Sequence, residues 1–100
     1  MNGSSAKGSE TPGAGLDVRR RRTHFRAWHR GMRETDLILG RFADAEIANL
    51  TDDEMDAFEA LLDELDRDIL AWLTGEASVP EEVATPLFLK LAAFTGATLR

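Results

Sequence analysis

The 100-residue chain contains no cysteine, no tyrosine and two histidines, and these absences remove several kinds of chemistry. Without cysteine there is no disulfide framework, no thiol nucleophile and no zinc knuckle. His24 and His29 are five residues apart and face different sides of a helix, so the spacing of a helical metal pair is missing. Glycine-rich phosphate loops are missing too. We therefore predict that the chain is not an enzyme.

Long apolar runs are also absent, which bounds the architecture. No stretch approaches the roughly 18 consecutive apolar residues of a membrane span, and the N-terminus lacks the apolar core of a signal peptide. The first fifteen residues, MNGSSAKGSETPGAG, are mostly small and polar and are typical of disorder. We predict a disordered tail over residues 1–16, one folded domain over residues 17–97, and no membrane insertion.

Acidic side chains are scarce in the first third of the chain and basic side chains are scarce in the rest, although the net charge of the whole chain is only −6. Residues 1–33 carry eight basic and two acidic side chains, whereas residues 34–100 carry four basic and sixteen acidic ones. This asymmetry favours either a partner with an acidic patch or pairing between the two parts of the chain.

The apolar residues that are present recur with a helical period. A first helix is predicted from Val18, with Phe25 and Trp28 on its apolar face. The pattern permits this helix to continue through Gly31, which would add Met32 to the face, or to break at Gly31. Five arginines at steps of three or four residues follow a neighbouring face and form an arginine stripe: Arg19, Arg22, Arg26, Arg30 and Arg33. A second helix is predicted from about Met32 to Ala43.

The segment LTDDE, at residues 50–54, predicts the start of another helix. Thr51 can cap it, and Glu54 three residues later completes a capping box. Apolar residues then follow at helical steps as far as Gly75, a natural stop: Met55, Phe58, Leu62, Leu65, Ile69 and Trp72. The pattern permits one long helix or two, the second starting at residues 65–68. The carboxylates here are expected to form a solvated face: Asp63, Glu64, Asp66 and Asp68.

Two prolines mark the last segment. Pro80, followed by two glutamates, predicts a helix start, and Thr85-Pro86 predicts a kink or a second start. An apolar face then runs to Gly96: Leu87, Phe88, Leu91 and Phe94. Strand and hairpin patterns are missing. We predict an all-α fold, a small single-domain bundle of about five short helices.

The arginine stripe leaves one binding function open. Basic side chains neutralise phosphates, so the stripe could bind nucleic acid or an anionic surface. The net charge of −12 over residues 34–100 opposes a polyanion, and we expect no nucleic-acid partner. Trp28 and Trp72 lie on apolar stripes, which favours a place in the core over base stacking.

The segment RGMRETD, at residues 30–36, belongs to a longer pattern that includes LTDDE and a later WL at residues 72–73. In this order the motifs resemble the SdhE-type flavinylation and assembly factors of succinate dehydrogenase, a family of bacteria and mitochondria. The family hallmark, Arg-Gly-x-x-Glu, is matched by Arg30, Gly31 and Glu34.

The resemblance covers roughly residues 25–94 and has two departures. His29 stands where the family often has a second arginine, and residues 65–68 lack the proline commonly found between the third and fourth helices. Neither departure touches the hallmark motif.

The resemblance implies a five-helix domain with the motif on its surface, near the junction of the first two helices. It implies no enzyme activity. Such factors bind the flavoprotein subunit of succinate dehydrogenase, or of the related fumarate reductase, and promote covalent attachment of FAD to a histidine of that subunit. FAD would thus be attached to the client and not held tightly by the factor. A monomer is expected, in the bacterial cytoplasm or, for a eukaryotic chain, in the mitochondrial matrix.

The resemblance also implies a partner-binding surface around the motif: Arg30, Gly31, Met32, Arg33, Glu34 and Asp36. Arg30 and Glu34 would offer charged contacts, and Gly31 would let two backbones approach closely. From the residues alone, Arg30 and Glu34 could instead pair across one helical turn. A docking surface predicts that Gly31→Arg or Glu34→Ala leaves melting nearly unchanged yet abolishes flavinylation of the client.

Overall fold

The computed structural model describes residues 15–99, with the side chains of residues 15–96. Five helices follow one another: α1 (Val18–Trp28), α2 (Arg33–Glu46), α3 (Asp52–Leu62), α4 (Asp66–Thr74) and α5 (Pro86–Leu99), with a 3₁₀ turn (Ile47–Asn49) between α2 and α3. This part of the chain contains no strand, so the all-α prediction is confirmed. None of its helices is long and apolar enough to cross a membrane. The tail predicted over residues 1–16 lies almost wholly outside the described residues.

Helix α1 begins where the sequence predicts but buries a different face. The Asp17 side chain accepts the backbone N–H of Arg20 at 2.8 Å and caps the helix. Val18 and Phe25, both predicted to face the core, are 58% and 60% exposed. The buried side chains of α1 are small or polar: Thr23, His24 and Ala27.

The buried polar groups of α1 have hydrogen-bond partners, which is why this face can be internal. The Thr23 hydroxyl donates to the carbonyl of Arg19 at 2.9 Å. The His24 Nε2 atom lies 2.6 Å from the Asp44 Oδ1 atom on α2. The period of the apolar residues does not indicate this face, because its buried side chains are small or polar. Hydrogen bonds, and not buried apolar area, offset the cost of removing the polar groups from water.

Helices α1 and α2 approach closely at Gly40. A Cβ atom added to Gly40 would lie 2.2–2.6 Å from the Trp28 ring, well inside van der Waals contact. The Trp28 Nε1 atom donates to Asp44 Oδ1 at 3.1 Å, which holds the ring across α2. Trp28 is half-buried and Trp72 packs against the core, as predicted.

Helices α2, α3 and α5 enclose the core. The rings of Phe58 and Phe94 meet the edge or face of Phe42 at centroid distances of 5.5 and 5.6 Å. The predicted capping box starts α3: the Thr51 N–H donates to Glu54 at 2.9 Å, and the Glu54 N–H donates to the Thr51 hydroxyl at 3.1 Å. Both observations confirm predictions made from the apolar pattern and the cap residues.

The segment from Asp52 to Thr74 forms two helices, with a break at residues 63–65. Leu65 adopts an extended conformation before α4 and is 57% exposed, so its predicted place in the core is wrong. A left-handed Gly75 (φ +82°) ends α4 as predicted. Core positions on the two helices are fully buried: Met55, Phe58, Leu61, Leu62 and Ile69.

The helix predicted at Pro80 is wrong, and the start predicted at Thr85-Pro86 is confirmed. Residues 81–83 form a single turn in which the Pro80 carbonyl accepts the N–H groups of Val83 and Ala84. A helix could not continue from there, because the residue before Pro86 is pushed out of the helical region and Pro86 has no N–H. The Thr85 hydroxyl caps α5, which passes the predicted end at Gly96.

Candidate functional site

The motif of residues 30–34 lies where α1 turns into α2. Gly31 has a φ of +98°, in the left-handed region that favours glycine. A Cβ atom added to Gly31 would meet nothing within 4 Å, so backbone conformation, and not lack of space, requires glycine. Met32 then adopts an extended conformation and its carbonyl accepts the Asp36 N–H at 2.9 Å, which starts α2.

The backbone of this turn is tied to α2. The N–H group of Arg30 donates to the Asp36 Oδ1 atom at 2.7 Å, so the Asp36 carboxylate closes the turn from the first turn of α2. Thr35, which is fully buried, donates its hydroxyl to the Met32 carbonyl at 3.1 Å. Asp36 therefore has an internal role in the turn, in addition to the surface position predicted for it.

The side chain of Arg30 points inward, to the junction of α3 and α4. Its Nε atom donates to the Asp66 Oδ1 atom at 2.7 Å, and the side chains of the two residues are 10% and 20% exposed. Its Nη1 and Nη2 atoms donate to the carbonyls of Leu62 and Glu64, the latter at 2.6 Å. The Leu62 carbonyl ends α3 and would otherwise lack an intrahelical partner, and the Glu64 carbonyl lies in the break between α3 and α4.

These contacts exclude one expectation for the motif and bear on a second. Arg30 lies outside both helices and pairs with Asp66, so the local ion pair with Glu34 is not formed. The charged contact that Arg30 was expected to offer a partner is directed into the molecule. Asp66 does not belong to a solvated face, although Asp63, with a side chain 73% exposed, does.

The outward part of the motif consists of Gly31, Arg33 and Glu34, all of them exposed, with Met32 half-buried beside them. Within residues 15–96, neither Arg33 nor Glu34 forms a side-chain hydrogen bond or an ion pair with another described residue. These side chains are therefore available to a partner, on a backbone fixed from inside by Arg30 and Asp36.

An exposed aromatic pair lies next to the motif. The rings of Phe25 and His29 stack with a centroid distance of 3.8 Å and an interplanar angle of 16°. The His29 Nδ1–H donates to the Phe25 carbonyl at 2.7 Å, which orients the ring. Phe25 lies one helical step from Trp28, so the apolar period predicts a place in the core, and its exposed ring shows that this prediction is wrong.

Three members of the arginine stripe are paired with acids of α3 and α4. Arg19 binds Glu59 at 2.7 Å and Asp56 at 2.5 Å, and Arg26 binds Asp63 at 2.8 Å. Together with the contact of Arg30, these pairs succeed one another in the same order along both elements, so α1 and α3 run parallel. Pairing between the two parts of the chain, one of the two expectations, is thus confirmed.

These pairs also alter the acidity of the side chains. The hydrogen bond from Arg19 lowers the pKa of Glu59 below its ordinary value of 4.5, although burial opposes this. Hydrogen bonds to Glu59 and Asp56 raise the pKa of Arg19. Both shifts favour the charged forms, which are the forms that pair between α1 and α3.

The row of ion pairs that joins Arg19, Arg26 and Arg30 to acids of the α3–α4 segment is called the seam below. A regular spacing in the sequence could have indicated it. Arg19, Arg26 and Arg30 are separated by seven and four residues, and their partners on α3 and α4 by seven and three: Asp56, Asp63 and Asp66. Matched spacings of opposite charge are expected where two helices run side by side.

The described residues offer little for a cofactor or a metal. Residues 15–96 contain no group of three or more His, Asp or Glu side chains that could hold a metal ion. A shallow groove between α3 and the 81–85 segment is mainly apolar and carries the carboxylates of Glu64 and Glu82 without a basic side chain. Such a lining does not suit the pyrophosphate of a dinucleotide.

Comparison with known proteins gives a consistent result. Residues 21–95, which include the motif turn, match the model of a family, Sdh5, described as the flavinator of succinate dehydrogenase. The chain is 39% identical over 88 residues to the FAD assembly factor SdhE of Acetobacter pasteurianus, covering 88% of this chain and 81% of that protein.

Mitochondrial proteins named succinate dehydrogenase assembly factor 2 are also similar. The identity is 38% over 78 residues for Candida glabrata and 40% over 76 residues for Dictyostelium discoideum. These matches cover 75% and 76% of this chain but 51% and 53% of the relatives, so the chain spans about half the length of those mitochondrial proteins.

Proposed function

The chain belongs to the Sdh5 family, the flavinators of succinate dehydrogenase, and on this premise we propose that it binds the flavoprotein subunit of that enzyme and promotes covalent attachment of FAD to it. The premise rests on a family match over three quarters of the chain. The subunit as direct partner, and the related fumarate reductase as a further client, are part of the proposal.

One structural observation supports this function more than any other. Glu34 is exposed in the first turn of α2, directly after the turn that contains the left-handed Gly31 and whose backbone and arginine are both bound internally. A carboxylate without an internal partner, on a rigid frame, suits a charge-assisted contact with another protein. Gly31 adds an open backbone surface without a side chain, which a partner can approach closely.

The proposed role is positioning and not chemistry. The factor would hold the client in the geometry from which its own histidine reacts with the flavin, since correct orientation alone lowers a barrier substantially. Accordingly we propose a non-catalytic, monomeric factor that does not retain FAD itself. Its compartment would follow its relatives: the cytoplasm of a bacterium, or the mitochondrial matrix for a eukaryotic chain.

The nucleic-acid alternative is weakened by the pairing of the arginine stripe. Arg19, Arg26 and Arg30 are bonded to carboxylates, and of the stripe Arg22 and Arg33 remain exposed without an ion pair among the described residues. Two exposed arginines neutralise few phosphates, and affinity for a polyanion depends on their number.

Glu34→Ala tests the proposal directly. We expect in-gel flavin fluorescence of the denatured client subunit to rise with the wild-type factor and to stay at the factor-free level with the variant. Because the Glu34 side chain makes no hydrogen bond or ion pair among the described residues, its removal should change the free energy of unfolding by less than about 0.5 kcal/mol. Thermal melting of the factor checks this second expectation.

Glu76→Ala provides the control. Glu76 is also exposed and lies in the loop after α4, so its loss should leave flavinylation at the wild-type level. Equal fluorescence with wild type, Glu34→Ala and no factor would overturn the proposed function. A fall in melting temperature that accounts for the loss would show Glu34 to be structural.

A further inference from the structure

Asp66 lies 36 residues from Arg30 in sequence, and the two side chains meet at the least exposed ion pair in the described part of the molecule. Their exposed fractions are 10% and 20%, whereas the side chains of the neighbouring Arg26–Asp63 pair are 38% and 73% exposed. An ion pair with little solvent is screened less and is held in one geometry.

The guanidinium of Arg30 binds three acceptors on three residues. The Asp66 carboxylate belongs to the first turn of α4, the Leu62 carbonyl ends α3, and the Glu64 carbonyl lies between the two helices. A planar guanidinium can satisfy all three at once, and a lysine ammonium cannot reproduce that arrangement. Arg30 therefore joins the α1–α2 turn to the α3–α4 junction.

The main chain of Arg30 is fixed as well, because its N–H donates to Asp36 on α2. Arg30 is thus held both by its backbone N–H and by its side chain. Gly31 and Glu34 fall within the four residues that follow it. Glu34 lies in the first turn of α2, and this anchoring fixes the path of the chain from residue 30 into that turn. Glu34 touches neither Asp66 nor Arg30 within the described contacts.

We infer that Arg30 and Asp66 are positioning residues of the partner-binding surface: the pair sets the geometry of the turn that presents Gly31 and Glu34 to the client. The inference rests on the proposed function and adds to it Asp66, which lies outside the motif. It also assigns the motif arginine to the frame of the surface and not to the contact with the partner.

Asp66→Asn removes the charge while keeping the shape of the side chain. We expect the variant to bind the client subunit roughly tenfold more weakly than wild type, because the turn is released while Glu34 is intact. Affinity is measured by calorimetry well below the melting temperature. Asp66→Glu, which keeps the charge, should restore part of the affinity, and Arg30→Lys should resemble Asp66→Asn.

Amide resonances of the factor supply a readout that general stability does not change. In Asp66→Asn, the ¹⁵N–¹H peaks of residues 29–34 should shift while those of α5 stay in place. The control is Asp63→Asn, which breaks the exposed neighbouring pair on the same seam. That variant should leave both the affinity and the turn resonances as in wild type.

Three results would overturn the inference. Asp66→Asn could bind the client as wild type does, Asp63→Asn could weaken binding equally, or the turn resonances could stay unchanged. Failure of the proposed function has a different signature, since the wild-type factor would then neither bind the client nor raise its flavinylation. That result would overturn the role in binding, whereas shifted turn resonances would still show that the pair sets the turn.

Discussion

At the scale of single residues, Gly31 illustrates how one conformation constrains substitution. Its φ of +98° is strained for any residue with a Cβ atom, even though the space around it is open. The expectation that Gly31→Arg leaves melting nearly unchanged therefore needs correction. Glycine is required at position 31 for the backbone conformation of the turn. The open backbone surface there follows from the same lack of a side chain.

Gly31→Ala should lower the free energy of unfolding by about 1–2 kcal/mol, the cost of a left-handed conformation for an L-residue. Gly31→Asn should lower it less, since asparagine tolerates this region. Gly96→Ala is the opposite control: Gly96 lies in α5 with nothing within 4 Å of an added Cβ, so alanine should stabilise by about 0.5–1 kcal/mol. Urea unfolding of the three variants compares them, and a Gly31→Ala midpoint at the wild-type value would contradict the assignment of strain.

At the scale of elements, the α1–α2 pair owes its closeness to a glycine and a tryptophan. The Trp28 ring occupies the place of a side chain at position 40, and its Nε1–H reaches Asp44 at 3.1 Å. The same carboxylate oxygen lies 2.6 Å from His24 Nε2, so Asp44 joins two side chains of α1 to α2. This contact orients α1, and with it the start of the motif turn.

Gly40→Ala should destabilise the protein by about 1–3 kcal/mol, because the new methyl group collides with ring atoms that cannot move without losing the bond to Asp44. We expect a lower melting temperature and a change in tryptophan fluorescence as Trp28 is displaced. Ala45→Gly, on the exposed side of α2, controls for helix propensity. Wild-type melting of Gly40→Ala would show that the two helices separate at no cost.

At the scale of the whole molecule, the uneven charge of the chain is used to join its halves. Arg19 and Arg26 connect α1 to α3, and Arg30 connects the motif turn to α4. Within the acidic part of the chain, Lys90 on α5 also binds Glu54 on α3 at 2.9 Å. The pKa of Glu54 is lowered by the N–H of Thr51 and by Lys90. Stability should therefore depend on pH in the acid range.

The sign of this dependence follows from the lowered pKa of Glu59. A group whose pKa is lower in the folded state stabilises the fold above its ordinary value of 4.5, and this contribution disappears as the pH falls through the lower, folded-state value. Urea midpoints measured from about pH 6 to about pH 3 should fall, and should fall less steeply for Glu59→Gln than for wild type. Glu76→Gln should follow the wild-type slope; identical slopes for wild type and Glu59→Gln would exclude the contribution of this carboxylate.

The sequence alone determined the helical class, the caps and the motif. Local physics was sufficient for these: the capping box at Thr51, the stop at Gly75 and the start at Thr85-Pro86 depend on backbone groups within a few residues. The core phenylalanines followed from periodicity, and the family resemblance located the turn.

The tertiary structure decided which face of α1 is internal and what Arg30 does. Phe25 is exposed and His24 is buried because Asp44, twenty residues away, compensates the burial of a polar ring. Arg30 turns inward because α3 ends beside it with unpaired carbonyls and α4 begins there with Asp66. The matched spacing of the arginines and acids indicates that these residues could pair, but it does not show that the Arg30 side chain is buried or that it also binds the carbonyls of Leu62 and Glu64. Those contacts depend on where α3 ends and α4 begins in three dimensions.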